Sequence, residues 1–258
     1  MKKTLLCIAT ILLLIPTACK KEEELGEEQP MQTTDYRFSV GPDKKVRFAP
    51  GNLQYRPSDG SWRFATQQYI YLGDSNSRVS DTYSGWIDLF AWGTGDNPTM
   101  TSRDEAQYRS FADWANHLDG NWRTLSADEW DYLLNQRPRA TQLRAKGTVH
   151  REYGFILLPD GWVCPPSVYF TASPDSNETE YPTSQWKALQ ESGAVFIPAG
   201  GRRTGTEVFG AGKNGFYWTS TESDGPNAQS LYFVEYSITA YHSYPRYCGL
   251  SVRLARDE

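Results

Sequence analysis

Trp122-Arg123-Thr124-Leu125-Ser126-Ala127-Asp128-Glu129-Trp130 is the stretch from which the fold class is read. Ser126 followed three residues later by Glu129 forms a capping box, in which each side chain satisfies the other residue's free backbone N–H. Trp130, Leu133 and Leu134 then recur at helical spacing, so a short helix begins here and presents one apolar stripe to a core. Working outward, Thr183-Ser184-Gln185-Trp186 opens a second helix, with Leu189 three residues after Trp186 and Gly193 placed to end it. A weaker helix is expected over Asp104 to Ala115. Around these lie short runs that alternate with period two between Gly, Pro and Asp: Tyr36–Val40, Lys45–Ala49, Leu53–Tyr55 and Trp62–Ala65. Further strands are expected at Gly154–Leu158, Ala194–Pro198, Phe216–Ser220, Ser230–Ile238 and Leu250–Leu254. Between Gly73 and Thr101 the chain is rich in loop residues but holds Trp86-Ile87-Asp88-Leu89-Phe90-Ala91-Trp92, which reads as a core plug. The class is α+β: short strands, two or three helices and long loops, with no internal repeat.

Composition narrows what such a domain can do. The 258 residues carry a net charge of −5 and 14% aromatic side chains. Aromatic content of that order argues against disorder, and an acidic chain lacks the electrostatic footprint for nucleic acid.

Met1-Lys2-Lys3, the apolar run from Leu5 to Ile15 and Pro16-Thr17-Ala18-Cys19 form a basic start, an apolar core and small residues before a cut. The run is shorter than the roughly 20 residues a membrane-spanning helix needs. Cys19 directly after small residues resembles a bacterial lipobox, although Pro16 stands where Leu is usual. The resemblance implies that residues 1–18 are a signal peptide and that Cys19 is lipidated. The alternative is an ordinary cleaved signal with a chance Cys. Lys20-Lys21-Glu22-Glu23-Glu24 is similar to the surface-export signal of Bacteroidota lipoproteins. This implies an outer-membrane, lipid-anchored protein at the cell surface, touching the membrane through its anchor only. Residues 19–35 then read as a tether, leaving 36–258 as one domain. Loss of Lys2 and Lys3 with the signal takes the side-chain charge from −5 to −7.

Motifs for catalysis are scarce. His117, His150 and His242 form no HxxxH or HExxH pair. There is no GxSxG elbow, phosphate-binding loop or EF-hand loop, and no metal or other cofactor is expected. Carboxylates are numerous, but no spacing singles out a pair for glycoside hydrolysis. After loss of Cys7 with the signal, Cys164 and Cys248 are the thiols of the domain. An exported compartment permits a disulfide between them, and two unpaired buried thiols are the equal alternative.

Five segments in order carry a family resemblance: Trp122–Trp130, Leu157-Leu158-Pro159-Asp160-Gly161-Trp162, Ala194-Val195-Phe196-Ile197-Pro198-Ala199-Gly200-Gly201, Tyr217-Trp218-Thr219-Ser220-Thr221-Glu222 and Tyr247-Cys248-Gly249-Leu250-Ser251-Val252-Arg253-Leu254. With Phe48–Tyr55 and Ser84–Phe90 they cover roughly residues 36–258. The set resembles the Fibrobacter succinogenes major paralogous domain and its relatives among gut Bacteroidota lipoproteins. That resemblance implies a C-type-lectin-like fold, akin to the formylglycine-generating-enzyme fold, without implying one activity. The Glu-Pro-Asn and Trp-Asn-Asp motifs of calcium-dependent lectins do not occur. Cys164 and Cys248 match no counterpart of the oxidase cysteine pair.

The candidate binding segment is Glu235-Tyr236-Ser237-Ile238-Thr239-Ala240-Tyr241-His242-Ser243-Tyr244-Pro245-Arg246-Tyr247-Cys248. Tyr offers a rigid amphipathic surface at small entropic cost, and Tyr with Arg dominates interface hot spots. Tyr236, Tyr241, His242, Tyr244, Arg246 and Tyr247 are the candidate contacts for a surface glycan or protein, with Tyr241, His242, Tyr244 and Arg246 expected to form one exposed patch. In related lectin-fold proteins this stretch bears the ligand contacts, and some are diversified at adenine-bearing codons. Residues 236–248 contain no Lys, Gln, Glu, Met or Trp, as such diversification requires. An ordinary Tyr-rich hairpin packed on its neighbours is the competing reading. The sequence therefore points to a binding or adhesion module. The alternative is an extracytoplasmic enzyme, either a carboxylate hydrolase or a formylglycine-type oxidase.

Overall fold

The computed structural model describes residues 36–166, 168–172 and 179–258. The expected signal peptide, the tether and the lipidation at Cys19 lie outside these residues. The chain begins with four short strands, β1 (Phe38–Ser39), β2 (Lys45–Phe48), β3 (Leu53–Arg56) and β4 (Ser61–Phe64). Long loops lead to β5 (Trp122–Thr124) and helix α1 (Ala127–Asp131). The capping box is formed in full, Ser126 accepting from Glu129 N and Glu129 accepting from Ser126 N. The helix runs on into a π turn over Tyr132–Gln136, and Trp130, Leu133 and Leu134 are buried. The strands β6 (Arg144–Val149), β7 (Glu152–Leu157) and β8 (Glu180–Tyr181) precede α2 (Thr183–Glu191). The strands β9 (Val195–Pro198), β10 (Arg202–Thr204), β11 (Glu207–Phe209), β12 (Gly215–Glu222), β13 (Asn227–Val234), β14 (Ser237–Pro245) and β15 (Leu254–Asp257) complete the chain.

The architecture is mixed α+β, with small sheets and few helices. One four-stranded sheet has the order β1-β2-β15-β5, so the first and last strands of the domain lie in one sheet. A second runs β8-β6-β7-β9, a third β12-β13-β14, and β3-β4 and β10-β11 are two-stranded ribbons. Period two explains how the β7-β9 pair is buried on both sides. Phe155, Leu157 and Ile197 enter one core with Trp130, Leu133, Leu231 and Phe233. Ile156 and Phe196 enter another beneath α2, with Trp186 and Leu189.

A third core forms around the expected plug. Ile87, Phe90 and Trp92 are fully buried against Trp114, Phe216, Trp218 and Leu250. Polar groups pin the plug. Asn76 Oδ1 accepts from the backbone N of Asp88 and Leu89 at 2.9 and 3.0 Å, while its Nδ2 donates to Asp88 Oδ1 at 2.8 Å. Asp88 Oδ2 accepts from Leu72 N at 2.9 Å. Burial drives the Asp88 carboxyl up to about 6 in spite of these donors.

Loops are also held by buried arginines gripping carbonyl oxygens. Arg203 reaches Leu89, Met100 and Gly205, and Arg253 reaches Ala49 and Phe196. Burial lowers both guanidinium pKa values to about 10, which leaves both charged at neutral pH. The planar fork of several N–H donors suits this task, since one side chain ties together segments far apart in sequence.

Three expectations are corrected. The helix over Asp104–Ala115 is absent. Asp104 and Asp113 instead cap two 3-10 turns, Glu105–Gln107 and Trp114–His117. The run Ser230–Ile238 is two strands, because a turn at Glu235-Tyr236 folds β14 back on β13, with Val234 paired to Ser237. Leu250–Leu254 becomes a strand only at Leu254, because Leu250 and Ser251 make single bridges to Phe90 and Tyr217.

Candidate functional site

The β12-β13-β14 sheet carries most of the candidate segment, and its register decides where each side chain goes. Tyr217 pairs with Leu231 and Phe216 with Tyr232. Tyr217, Leu231 and Phe233 therefore face the core shared with α1, while Phe216 and Tyr232 face the plug. On β14, Thr239 pairs with Tyr232, but His242 pairs with Ser230. Three steps on β14 answer two on β13, which is a β-bulge. Its consequence is a change of side. Ile238 and Ala240 pack on the α1 core, whereas Tyr244 packs on the plug core. The bulge brings His242 over as well, against Phe216 and Tyr232.

A shelf of rings results. His242 stacks on Tyr232 with centroids 4.5 Å apart and 23° between planes. Tyr244 lies 5.5 Å from His242 and 5.3 Å from the buried ring of Phe216. Tyr232, His242 and Tyr244 are each half-buried, so their rings are fixed from beneath and open above. The Arg202 guanidinium sits 5.5 Å from the Tyr244 ring and 4.9 Å from exposed Phe209. Burial lowers the His242 pKa, favouring the neutral imidazole. Burial also pushes the Tyr244 phenol up to about 12, so it remains a hydrogen-bond donor. The shelf thus offers flat apolar surface with a hydroxyl, an imidazole and one cation at its margin, a combination suited to ring faces of sugars or to side chains of a protein.

The expected single patch of Tyr241, His242, Tyr244 and Arg246 is not formed. Tyr241 is exposed on the opposite side of the sheet, where its hydroxyl donates to Asp128 Oδ1 at 2.8 Å. That hydrogen bond, more than burial, raises its phenol to about 12. Arg246 is buried. Its Nε donates to Asn227 O at 2.9 Å and its Nη1 to Tyr108 O at 3.1 Å, and its guanidinium lies 4.4 Å from the Trp92 ring. It ties the end of β14 to the plug, a structural task like that of Arg203 and Arg253. Tyr247 is half-buried against the plug core. Tyr236 stands at the β13-β14 turn and is 77% exposed.

Of the two equal readings of the cysteines, a disulfide and a pair of unpaired buried thiols, neither is met in full. Cys164 and Cys248 are both free. Cys164 is exposed in a loop and donates to Val168 O at 3.1 Å. Cys248 is buried in the plug core, 3.6 Å from Thr204 Oγ1, and burial raises its thiol pKa. A buried thiol of raised pKa is a poor nucleophile. Among the described residues no group of three or more His, Cys, Asp or Glu is placed to hold a metal ion.

Phe216, Tyr232, Arg202 and Phe209 complete the shelf and escaped the sequence reading. The strand alternation of Phe216 and Trp218, and of Tyr232 within its own run, was the available signal. Compared with known proteins, the chain matches no family model, no curated protein and no solved structure.

Proposed function

We propose that this chain is an exported, lipid-anchored binding or adhesion module of the bacterial surface, and that a glycan or protein ligand docks on the open face of the β12-β13-β14 sheet. The C-type-lectin-like fold, and kinship with the Fibrobacter succinogenes major paralogous domains, belong to the same proposal. They are supported by the ordered motifs between residues 36 and 258 and by a domain of small sheets, few helices and long pinned loops. The anchor at Cys19 is supported by the address that precedes it.

One observation carries the docking site. Tyr232, His242 and Tyr244 stand side by side, packed from below on Phe216 and half-open above. Holding three polar-tipped rings in register lowers the entropic cost of binding, because little side-chain freedom is left to lose. A glycan array and a surface-protein screen with the chain lacking its signal segment test the proposal. Binding that disappears when Tyr232 and Tyr244 are both changed to Ala supports it. Binding that survives this double change overturns it. Metabolic labelling with palmitate, present in the native chain and absent in Cys19→Ala, tests the anchor separately.

A further inference from the structure

A concave feature lies away from the shelf, between the β13-β14 turn and the loop that precedes β12. It is a cleft of about 560 Å³, within the range of small-molecule sites. Thr148 and Tyr153 come from β6 and β7, Lys213 and Asn214 from the loop, and Glu235 and Tyr236 from the turn.

Both walls are fixed. Lys146 is completely buried, and its Nζ donates to the carbonyl oxygens of Val234 at 3.1 Å and Glu235 at 2.6 Å. Lysine is almost never fully buried without partners, and here its charge holds the two carbonyls at the turn. The opposite wall is a tight turn in which Lys213 N and Asn214 N both donate to Gly210 O. Gly210 and Gly212 take φ of +68° and +76°, a region that L side chains seldom adopt. The Tyr153 ring is set edge-on against Phe233, with centroids 6.2 Å apart. Its hydroxyl has no hydrogen-bond partner among the described residues.

The chemistry of the lining selects a ligand class. Tyr153 and Tyr236 supply aromatic surface at two positions, and Tyr236 is kept exposed at a turn tip where a polar residue would be ordinary. Asn214 and Thr148 donate and accept. Among the residues that line the cleft, Lys213 and Glu235 contribute one charge of each sign, and the Lys146 ammonium is turned to the Val234 and Glu235 carbonyls, so no charge cluster is presented to a phosphate or a metal ion. Rings that meet C–H faces, amide and hydroxyl groups that meet hydroxyls, and balanced charge together fit a polyhydroxylated neutral molecule.

We propose that this cleft is a binding site for one or two rings of a neutral saccharide, separate from the shelf. It extends the reading of the chain as a binding module but uses none of the shelf residues.

The test is amide NMR of the chain without its signal segment, titrated with N-acetylglucosamine, galactose, mannose and cellobiose, with glutamine as a zwitterionic probe and with inorganic phosphate as an anionic one. At least one sugar is expected to shift Gly212, Lys213, Asn214, Glu235 and Tyr236 saturably. Tyr236→Ala should then weaken that sugar roughly tenfold, as loss of an aromatic contact does. Lys213→Gln keeps a donor but removes the charge, and should change affinity by no more than about threefold, as expected where charge is not what binds. Because Tyr236 is exposed, the spectrum of its variant outside the cleft reports an intact fold. No saturable shift with any of the four sugars overturns the proposal, as does a site that answers to phosphate or glutamine instead. The shelf variant Tyr232→Ala/Tyr244→Ala should leave the cleft's sugar response unchanged, so failure at one site is distinguishable from failure at the other.

Discussion

The two faces of the β12-β13-β14 sheet are made by the same strands and do opposite things. Toward α1 the sheet presents Tyr217, Leu231, Phe233 and Ala240, all buried. Gly215 makes room for this face, since a Cβ there would come within 2.0 Å of the Phe233 ring. Toward the plug it presents Phe216 and Trp218, which are buried, and then Tyr232, His242 and Tyr244, which the plug leaves half-open. The first face is mostly buried hydrocarbon, with Tyr241 exposed only at its margin. The second ends in polar-tipped rings. Residues that alternate along one strand thus divide between a closed core and a half-open face of polar-tipped rings, and the bulge in β14 sends His242 and Tyr244 to the half-open side.

The comparison breaks first on the dry face. Phe233→Ala should cost about 3–5 kcal/mol of unfolding free energy in urea titration. A loss comparable to that of an exposed position would mean that the two faces are not energetically distinct.

Next in size is the pH response of the plug that covers part of the second face. Asp88 has a folded pKa raised from 3.8 to about 6. The folded state therefore binds its proton more tightly than the unfolded state. Its contribution to stability is complete below about pH 4 and is lost as pH rises through 6, by about 3 kcal/mol in all. Asp88→Asn should lack this component. The difference between the stability–pH curves of the native chain and the variant isolates it from the oppositely directed effects of Glu129, Asp160 and Asp257, whose pKa values are lowered. Parallel curves would count against a desolvated carboxylate at this position.

On the open face, Tyr244→Ala should cost only about 1 kcal/mol of stability, as half-buried positions do, while weakening the proposed docking on the shelf. A large stability loss would make the shelf a core like the other.

The smallest effect concerns His242. Burial lowers its pKa below the usual 6.5, so protonation disfavours the folded state. Stability from this group is present above pH 6.5 and is lost as pH falls through the folded value, opposite in sign to Asp88. A slight drop in Tm between pH 7 and 5 that His242→Phe abolishes would show it, after the Asp88 component is subtracted.

What the sequence made legible follows from how local each signal is. The capping box at Ser126 and Glu129 is a contact between neighbours, so the start of α1 is readable directly. The strands β1 to β4 are bounded by Gly, Pro and Asp and fall close to their expected limits. The turn at Glu235-Tyr236 carries no Gly, Asn, Asp or Pro, and neither residue takes a positive φ, so nothing local marks it. Arg246 and Arg253 are charged residues whose burial depends on carbonyl groups brought from Asn227, Tyr108, Ala49 and Phe196. Alternation assigns such a residue to a face but does not say whether that face is wet. The same limit divides the candidate site. His242 and Tyr244 were visible as a Tyr-rich run, whereas Tyr232, Phe216 and Arg202 join them only through strand register.

The sheet that joins β2 to β15 also has a mechanical consequence. A pull on the N-terminal side of the domain loads β1 first. That strand has two residues and pairs only with β2. Phe38, buried in the α1 core, and Ser39, whose N and Oγ donate to Asp160 at 3.1 and 2.7 Å, must let go before force reaches the register of Phe48, Arg47 and Val46 against Ala255, Arg256 and Asp257. Only there does the load meet the C-terminal strand, whose other edge is braced by β5. The domain would therefore yield in two steps, the core grip of β1 first and the β2-β15 register second, in the manner of two latches in series.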